Sequence, residues 1–145
     1  MQRSKVDVLV HFVWATRRRE ALLVPPVEAL VYGCIHSEAV KSGCDVVALG
    51  GMPDHVHLLA RVPATVPIAH IMQQVKGVSS TVARGSVTVF PGWQDNYAAV
   101  SVSPRDRSRV IAYIAAQKKH HAAGTVWSEA EETGAPIAQR QQPEV

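Results

Sequence analysis

The stretch CDVVALGGMPDHVHLLARV, residues 44–62, decides the fold, because it contains two strand-like segments separated by a short turn. β-Branched and other apolar residues dominate both segments, and the Met-Pro-Asp sequence between them is typical of a turn. The stretch therefore predicts an antiparallel hairpin, with one strand over residues 44–52 and the next over 55–62.

The flanking sequence predicts the elements around this hairpin. Residues 5–16, KVDVLVHFVWAT, alternate as a strand does. Prolines at helix-start positions and apolar residues at helical spacing predict helices over 25–41 and 67–84. Short strands broken by Pro-Gly are predicted in 87–103, and a Ser cap followed by Pro predicts a last helix over 104–121. The order β-α-β-β-α-β-α predicts an α+β fold, a ferredoxin-like antiparallel sheet with helices packed on one face and the last helix near the C-terminus.

Composition indicates a folded chain with one core. Apolar residues make up 47% of the 145 residues and charged residues 19%, which excludes a disordered polar chain. Apolar runs are shorter than the roughly 18 to 20 residues that a membrane span needs. The first residues lead directly into a strand rather than a signal-peptide core, so we expect a cytoplasmic protein. We expect one domain over residues 1–124, followed by a polar tail over 125–145.

Charge is distributed unevenly along the chain. Residues 125–145 contain four acidic side chains and one basic one, a net −3, whereas residues 1–124 contain 14 basic and 8 acidic side chains, a net +6. A basic body suits a polyanionic partner, although many proteins without a nucleic-acid function are equally basic.

His55 and His57 are the first candidate site residues. Side chains two apart on a strand point the same way, so both imidazoles project from one face of the sheet. Two imidazoles rarely suffice for a divalent ion, and the pair on its own is more typical of a polar sheet face. Histidine-triad hydrolases and two-histidine phosphoesterases need a further polar residue at position 59, which is Leu59. An RNA-binding sheet would need exposed aromatic residues, which this strand lacks.

The last predicted helix supplies further candidates. Arg109, Tyr113 and Gln117 follow one another at intervals of four, which places them on one helical face. If that helix packs on the sheet, Gln117 can offer an amide oxygen as a third metal ligand, and Tyr113 points at the same spot. A tyrosine at the edge of the core is the structural alternative. A metal such as Mg²⁺ or Mn²⁺ would polarise a phosphodiester for attack by the phenol, which would give a phosphotyrosine.

Several segments together resemble one family. GGMPDHVHLL and YIAAQKKHH, with VHFVWATRRRE, VKGVSS and WQDNYAAVSVS in the same order, closely resemble the HUH-type tyrosine transposases of the insertion sequence 200/605 family, which act on single-stranded DNA. The resemblance covers nearly the whole chain up to His121 and leaves the tail without an assigned motif.

The resemblance implies specific roles. It implies that His55 and His57 are the HUH metal ligands, that Gln117 is the third ligand and that Tyr113 is the nucleophile. It further implies a homodimer, hairpin-containing single-stranded DNA as substrate, and a 5′-phosphotyrosine intermediate. The helix carrying Tyr113 can act in its own subunit or across the dimer. Two alternatives are a domesticated REP-associated-type relative that binds and nicks DNA hairpins, and a catalytically idle binder of structured DNA.

Basic residues outside this set are candidates for DNA contact, each with a solvated surface or a helix-dipole role as its alternative. They are Arg17, Arg18, Arg19, Lys76, Lys118 and Lys119. Asp54 is expected to shape the Pro-Asp turn or to orient a histidine. Trp93 and Tyr97 could stack on unpaired bases, whereas Trp14 is expected in the core and His11 is expected to be structural.

Overall fold

The computed structural model describes residues 4–86 and 89–133. The elements follow in the order β1 (Val8–Ala15), a 3-10 turn (Arg17–Arg19), α1 (Pro25–Lys41), β2 (Asp45–Met52), β3 (His55–Val62), α2 (Ile68–Ser86), β4 (Ala98–Val102), α3 (Arg107–Ala115), α4 (Gln117–Ala123) and α5 (Ser128–Glu131). Of the predicted polar tail, residues 134–145 lie outside the described residues, as do residues 87 and 88 of the predicted strand region.

One antiparallel sheet organises these elements. Its strand order is β2-β3-β1-β4, and all neighbouring strands are antiparallel. The predicted hairpin is β2 and β3, in which Gly50 faces His57. The central pair is β1 and β3, in which Val13 faces His57 and Ala15 faces His55. This arrangement confirms the predicted α+β, ferredoxin-like fold class.

The main core lies between the sheet and the first two helices. Phe12 and Trp14 of β1 and Leu58 of β3 have no exposed surface, and they pack against α1 and α2. Full burial of such side chains contributes about 1.5–3 kcal/mol each. The alternation of β1 predicted this face, and it predicted Trp14 in the core.

The opposite face of the sheet is covered by α3. Leu9 and Leu59 of the sheet pack against Val110 and Ile114 of α3 in a second, smaller cluster. The expectation of helices on one face therefore holds for α1 and α2, while α3 takes the other face. His11, His55 and His57 belong to that second face, because the strand period of two places them with Leu9 and Leu59.

The last helix is shorter than expected and interrupted. Residues 103–106 form a turn in which the Asp106 N–H donates to the Ser103 carbonyl at 2.9 Å, so α3 begins at Arg107 rather than at residue 104. The helix then breaks at Ala116, which has φ −105° and ψ 22°, and resumes as α4. The prediction of one continuous helix over 104–121 was wrong. Within the described residues, no helix is both long and apolar enough to cross a membrane.

Candidate active site

The two histidines of β3 converge on one point. His55 and His57 are 2% and 0% exposed, and their ring centroids lie 5.0 Å apart. Nε2 of His55 lies 2.9 Å from Oε2 of Glu131, and Nε2 of His57 lies 3.1 Å from the same oxygen. The strand period thus brings both imidazoles to one side of the sheet, and a single carboxylate oxygen lies between them.

The second nitrogen of each imidazole is also engaged. Nδ1 of His55 lies 2.7 Å from Oδ1 of Asp54, and Nδ1 of His57 lies 2.9 Å from Nε2 of His11. Each Nε2 carries a proton when it donates to Glu131 as in this structure, whereas with a cation between them, protons on both Nδ1 atoms would leave both Nε2 lone pairs free to bind it. Asp54 also shapes the turn, since its carbonyl accepts the Thr16 N–H at 2.9 Å.

Gln117 reaches the same space from the first residue of α4. Its side chain is 2% exposed, and Oε1 lies 3.4 Å from Nε2 of His55 and 3.2 Å from Nε2 of His121. Its amide nitrogen has no hydrogen-bond partner in the part of the chain that the structure describes. The structure therefore brings Gln117 to the histidines, although a helix break separates it from Tyr113.

Tyr113 of α3 lies next to His57, with ring centroids 6.1 Å apart. Its hydroxyl donates to Oε1 of Glu131 and accepts the backbone N–H of Trp127 at 2.9 Å. Burial, and then the neighbouring Glu131 carboxylate, raise the pKa of the Tyr113 phenol above its ordinary value. The phenol is therefore neutral at physiological pH in this arrangement.

Glu131, in α5, was not identified from the sequence. Burial by itself would raise the pKa of Glu131, but hydrogen bonds from His55, His57 and Tyr113 outweigh burial and hold it well below the usual range. The ligand atoms of His55, His57 and Glu131 all lie within 4.8 Å of one another, which makes them a possible metal site. The only sequence feature that included this residue was the acidic composition of the tail, and that composition does not predict where in the fold Glu131 lies.

Electrostatic effects at the two histidines differ in direction. Burial would lower the pKa of His55, but the Glu131 and Asp54 carboxylates outweigh it and raise that pKa. Deeper burial dominates at His57 and lowers its pKa despite the same Glu131. Burial also lowers the pKa of His11 to about 4, so His11 is neutral at physiological pH.

The predicted DNA-contact residues occupy different surroundings. Lys118 pairs with Glu28 of α1 at 3.1 Å, and the Lys76 ammonium donates to the carbonyls of Gln94 and Asn96. These two lysines are thus held by contacts within the chain.

The arginine cluster forms the 3-10 turn directly after β1. Arg17 lies 3.8 Å from Asp95 and Arg19 lies 3.9 Å from Asp54. Arg18 and Lys119 are exposed, and neither forms an ion pair with any of the described residues. Arg18 and Arg19 also have positive φ angles of 58° and 52°, which is uncommon for residues other than glycine.

A cleft of about 390 Å³ lies between α2 and the segment that precedes β4. Basic and aromatic side chains share its wall, among them Arg17, Lys76, Arg84, Trp93 and Tyr97. Trp93 is 5% exposed and its indole N–H donates to Ser79 at 3.0 Å, so Trp93 is mainly a core residue.

Comparison with known proteins places the chain among transposases. The family model described as "Transposase IS200 like" matches residues 4–117. The ISDra2 transposase TnpA of Deinococcus radiodurans is 27% identical over 117 residues, which cover 74% of this chain and 81% of that protein.

Two solved structures share the fold. A transposase from Deinococcus radiodurans R1 matches with a TM-score of 0.64 and 27% identity, covering 81% of this chain and 98% of that chain. A REP-associated tyrosine transposase bound to a REP hairpin matches with a TM-score of 0.62 and 15% identity, covering 87% of this chain and 74% of that chain.

Proposed function

Because this chain belongs to the IS200-like transposase family, we propose that it cleaves and rejoins single-stranded DNA at hairpin-containing element ends, with Tyr113 as nucleophile and a divalent metal held by His55 and His57. The observation that carries the proposal is the convergence of both imidazoles and the Tyr113 hydroxyl on one carboxylate, Glu131. Membership of the family supports DNA cleavage and transfer as the reaction class.

The donor atoms at this point fit a divalent ion. The ligand atoms of His55, His57 and Glu131 lie within 4.8 Å of one another, the amide oxygen of Gln117 lies 3.4 Å from Nε2 of His55, and the second nitrogen of each imidazole is oriented by a neighbour. Mixed imidazole and oxygen donors suit Mn²⁺, and Mg²⁺ accepts such a site with water and phosphate completing its shell. When bound, the ion would polarise the scissile phosphate and neutralise the charge that develops on it.

The chain's own residues would perform the covalent step. The Tyr113 oxygen attacks the phosphorus, a Tyr113 O–P bond forms, and the bond from phosphorus to the 3′ oxygen breaks. The proton lost by the phenol ends on the departing 3′ oxygen, which becomes a 3′-hydroxyl. The 5′ side of the DNA stays bound to Tyr113 through the phosphate, as a phosphotyrosine. Strand transfer is the reverse reaction with a different 3′-hydroxyl, so the phosphoester bond energy is conserved.

Several observations support DNA as the substrate. Residues 1–124 carry a net +6 charge, and the exposed Arg18 lies one short turn beyond the strand end that pairs with His55. Lys119 is exposed on α4, close to Tyr113 in the chain. The hairpin is proposed from the relative that was solved with one.

In the proposed homodimer, the helix that carries Tyr113 can act in its own subunit or in the partner subunit. In this structure α3 packs on the sheet of its own chain, through Ile114 against Leu59, and Tyr113 lies 6.1 Å from His57 of the same chain. This packing supports attack by Tyr113 in the site of its own subunit.

The boundary between a domain over 1–124 and a tail over 125–145 stays a prediction.

The test is formation of a covalent adduct. The protein is incubated with labelled single-stranded oligonucleotides that carry the hairpins flanking its own gene, with Mg²⁺ or Mn²⁺, and adducts are resolved on a denaturing gel. We expect an adduct that chelator abolishes and that Tyr113→Phe lacks. Tyr97→Phe is the matched control, because Tyr97 is a partly exposed tyrosine away from the histidines.

Other outcomes of the adduct experiment would favour the alternative functions. Hairpin binding without an adduct, with any flank, would overturn the catalytic proposal in favour of a structured-DNA binder. Nicking of hairpins without strand transfer would favour the domesticated, REP-associated type of activity. An adduct that survives Tyr113→Phe would overturn the assignment of the nucleophile.

A further inference from the structure

We infer that Glu131 is a third protein ligand of the proposed metal, and that binding of Glu131 to the metal holds the segment 125–133 in place over Tyr113. This inference rests on the proposed function, because it concerns the same ion. It extends beyond the family match, which ends at residue 117.

The distances around Glu131 carry the argument. Oε2 lies 2.9 Å from Nε2 of His55 and 3.1 Å from Nε2 of His57. Neighbouring ligands of an octahedral ion with bonds of about 2.1 Å are separated by about 3.0 Å, so the Glu131 oxygen has the spacing of a neighbouring ligand to each of the two imidazole nitrogens. By contrast, Oε1 of Gln117 lies 3.4 Å from Nε2 of His55 and is shared with His121.

Charge favours the same assignment. Gln117 and two neutral imidazoles would offer a divalent ion no negative charge, and a hard cation such as Mg²⁺ or Mn²⁺ prefers carboxylate oxygen. Glu131 supplies one negative charge, and its side chain is 17% exposed. Glu129 and Glu132 are exposed neighbours of Glu131 in the chain. In the part of the chain that the structure describes, neither of them forms such a contact with His55 or His57.

The segment that carries Glu131 is fastened to α3 at several points. The Trp127 N–H donates to the Tyr113 hydroxyl at 2.9 Å, and the Arg109 guanidinium lies 4.0 Å from the centre of the Trp127 ring. Ala130 is 7% exposed and Thr133 is 8% exposed. Since one residue of this segment would bind the ion and another contacts the nucleophile, metal binding and docking of the segment must stabilise each other.

The test compares Glu131→Gln with the native protein and with Glu129→Gln and Glu132→Gln, which remove the same charge from the same segment. Mn²⁺ binding is measured by calorimetry and by the electron paramagnetic resonance signal of unbound Mn²⁺. We expect Glu131→Gln to weaken Mn²⁺ binding about tenfold or more, because even residues that only support metal ligands change affinity by roughly 10–100-fold. The two control variants should bind Mn²⁺ as the native protein does.

A second readout follows the segment itself. Mn²⁺ should slow amide hydrogen exchange across residues 125–133 in the native protein and leave it unchanged in Glu131→Gln. Native Mn²⁺ affinity in Glu131→Gln would overturn the inference. Tighter binding, together with faster adduct formation, would also overturn it, because Glu131 would then compete with the ion. Failure of the native protein to bind Mn²⁺ would instead overturn the metal in the proposed function.

Discussion

His11 of β1 holds His57 of β3 in place: its Nε2 lies 2.9 Å from Nδ1 of His57, and the two rings stack with centroids 5.1 Å apart. His11 is 6% exposed, and burial keeps it neutral. A neutral His11 can accept the Nδ1 proton of His57, which leaves Nε2 of His57 available as a metal ligand.

We therefore expect His11→Phe to weaken Mn²⁺ binding by roughly 10–100-fold, because an aromatic ring is kept in this buried position while the nitrogen that orients His57 is lost. Calorimetric titration with Mn²⁺ measures the change, and circular dichroism checks that the fold is kept. His70→Phe, at an exposed position of α2, is the control. An unchanged dissociation constant in His11→Phe would reduce His11 to a packing residue.

Gly50 of β2 sets the distance between α3 and the sheet. A Cβ atom at this position would lie 2.5 Å from the backbone oxygen of Ile114 and 3.1 Å from its Cγ2. Gly50→Ala must therefore displace α3, which also carries Tyr113, and we expect a loss of about 1–3 kcal/mol in the free energy of unfolding together with slower adduct formation.

Urea unfolding and adduct rates measure the two effects of Gly50→Ala. Gly33→Ala in α1 is the matched control, because a Cβ there meets nothing within 4 Å. Alanine should stabilise that helix by about 0.5–1 kcal/mol and leave the adduct rate unchanged. Equal stability changes in both variants would contradict the close approach at Gly50.

Tyr32 of α1 has a buried hydroxyl without a hydrogen-bond partner among the described residues. Burial, and then the nearby Glu28, raise its pKa above the ordinary value, so the phenol stays neutral. A buried polar group without a partner costs free energy, and we expect Tyr32→Phe to raise the free energy of unfolding by about 1 kcal/mol. Thermal and urea unfolding measure this change. A clear destabilisation would show that the hydroxyl has a partner in solution, such as a bound water.

The sequence predicted those parts of the site that depend on local periodicity. A strand repeats every two residues, so the shared direction of His55 and His57 followed from their spacing. A helix repeats every 3.6 residues, which placed Tyr113 and Gln117 on one side and allowed both to reach the histidines. The antiparallel hairpin followed from the turn between residues 52 and 55.

Two features depend on the tertiary structure instead. The break at Ala116 follows Ala115, and alanine favours a helix, but the contacts on the two sides of the break differ, with Ile114 on the sheet and Lys118 on Glu28. Glu131 is separated from His57 by 74 residues, and no local pattern reports where a polar tail returns to the core.

Arg18 and Lys118 are both exposed, but they differ in their contacts within the chain. Arg18 forms no ion pair with any of the described residues, whereas Lys118 lies 3.1 Å from both carboxylate oxygens of Glu28 and 3.3 Å from the carbonyl of Gly51. If DNA phosphates approach the end of β1, Arg18→Gln should weaken single-stranded DNA binding and lower the magnitude of the slope of log affinity against log salt by about 1.

Lys118→Gln should instead leave that slope unchanged and lower the melting temperature, because α4 loses its tie to α1. Fluorescence anisotropy with a labelled hairpin at several salt concentrations measures the slopes, and thermal unfolding measures the second effect. A reduced slope in Lys118→Gln, with native stability, would mean that the Glu28 pair opens in favour of phosphate. The lysine would then be a DNA contact, which is the first of the two roles predicted for it from the sequence.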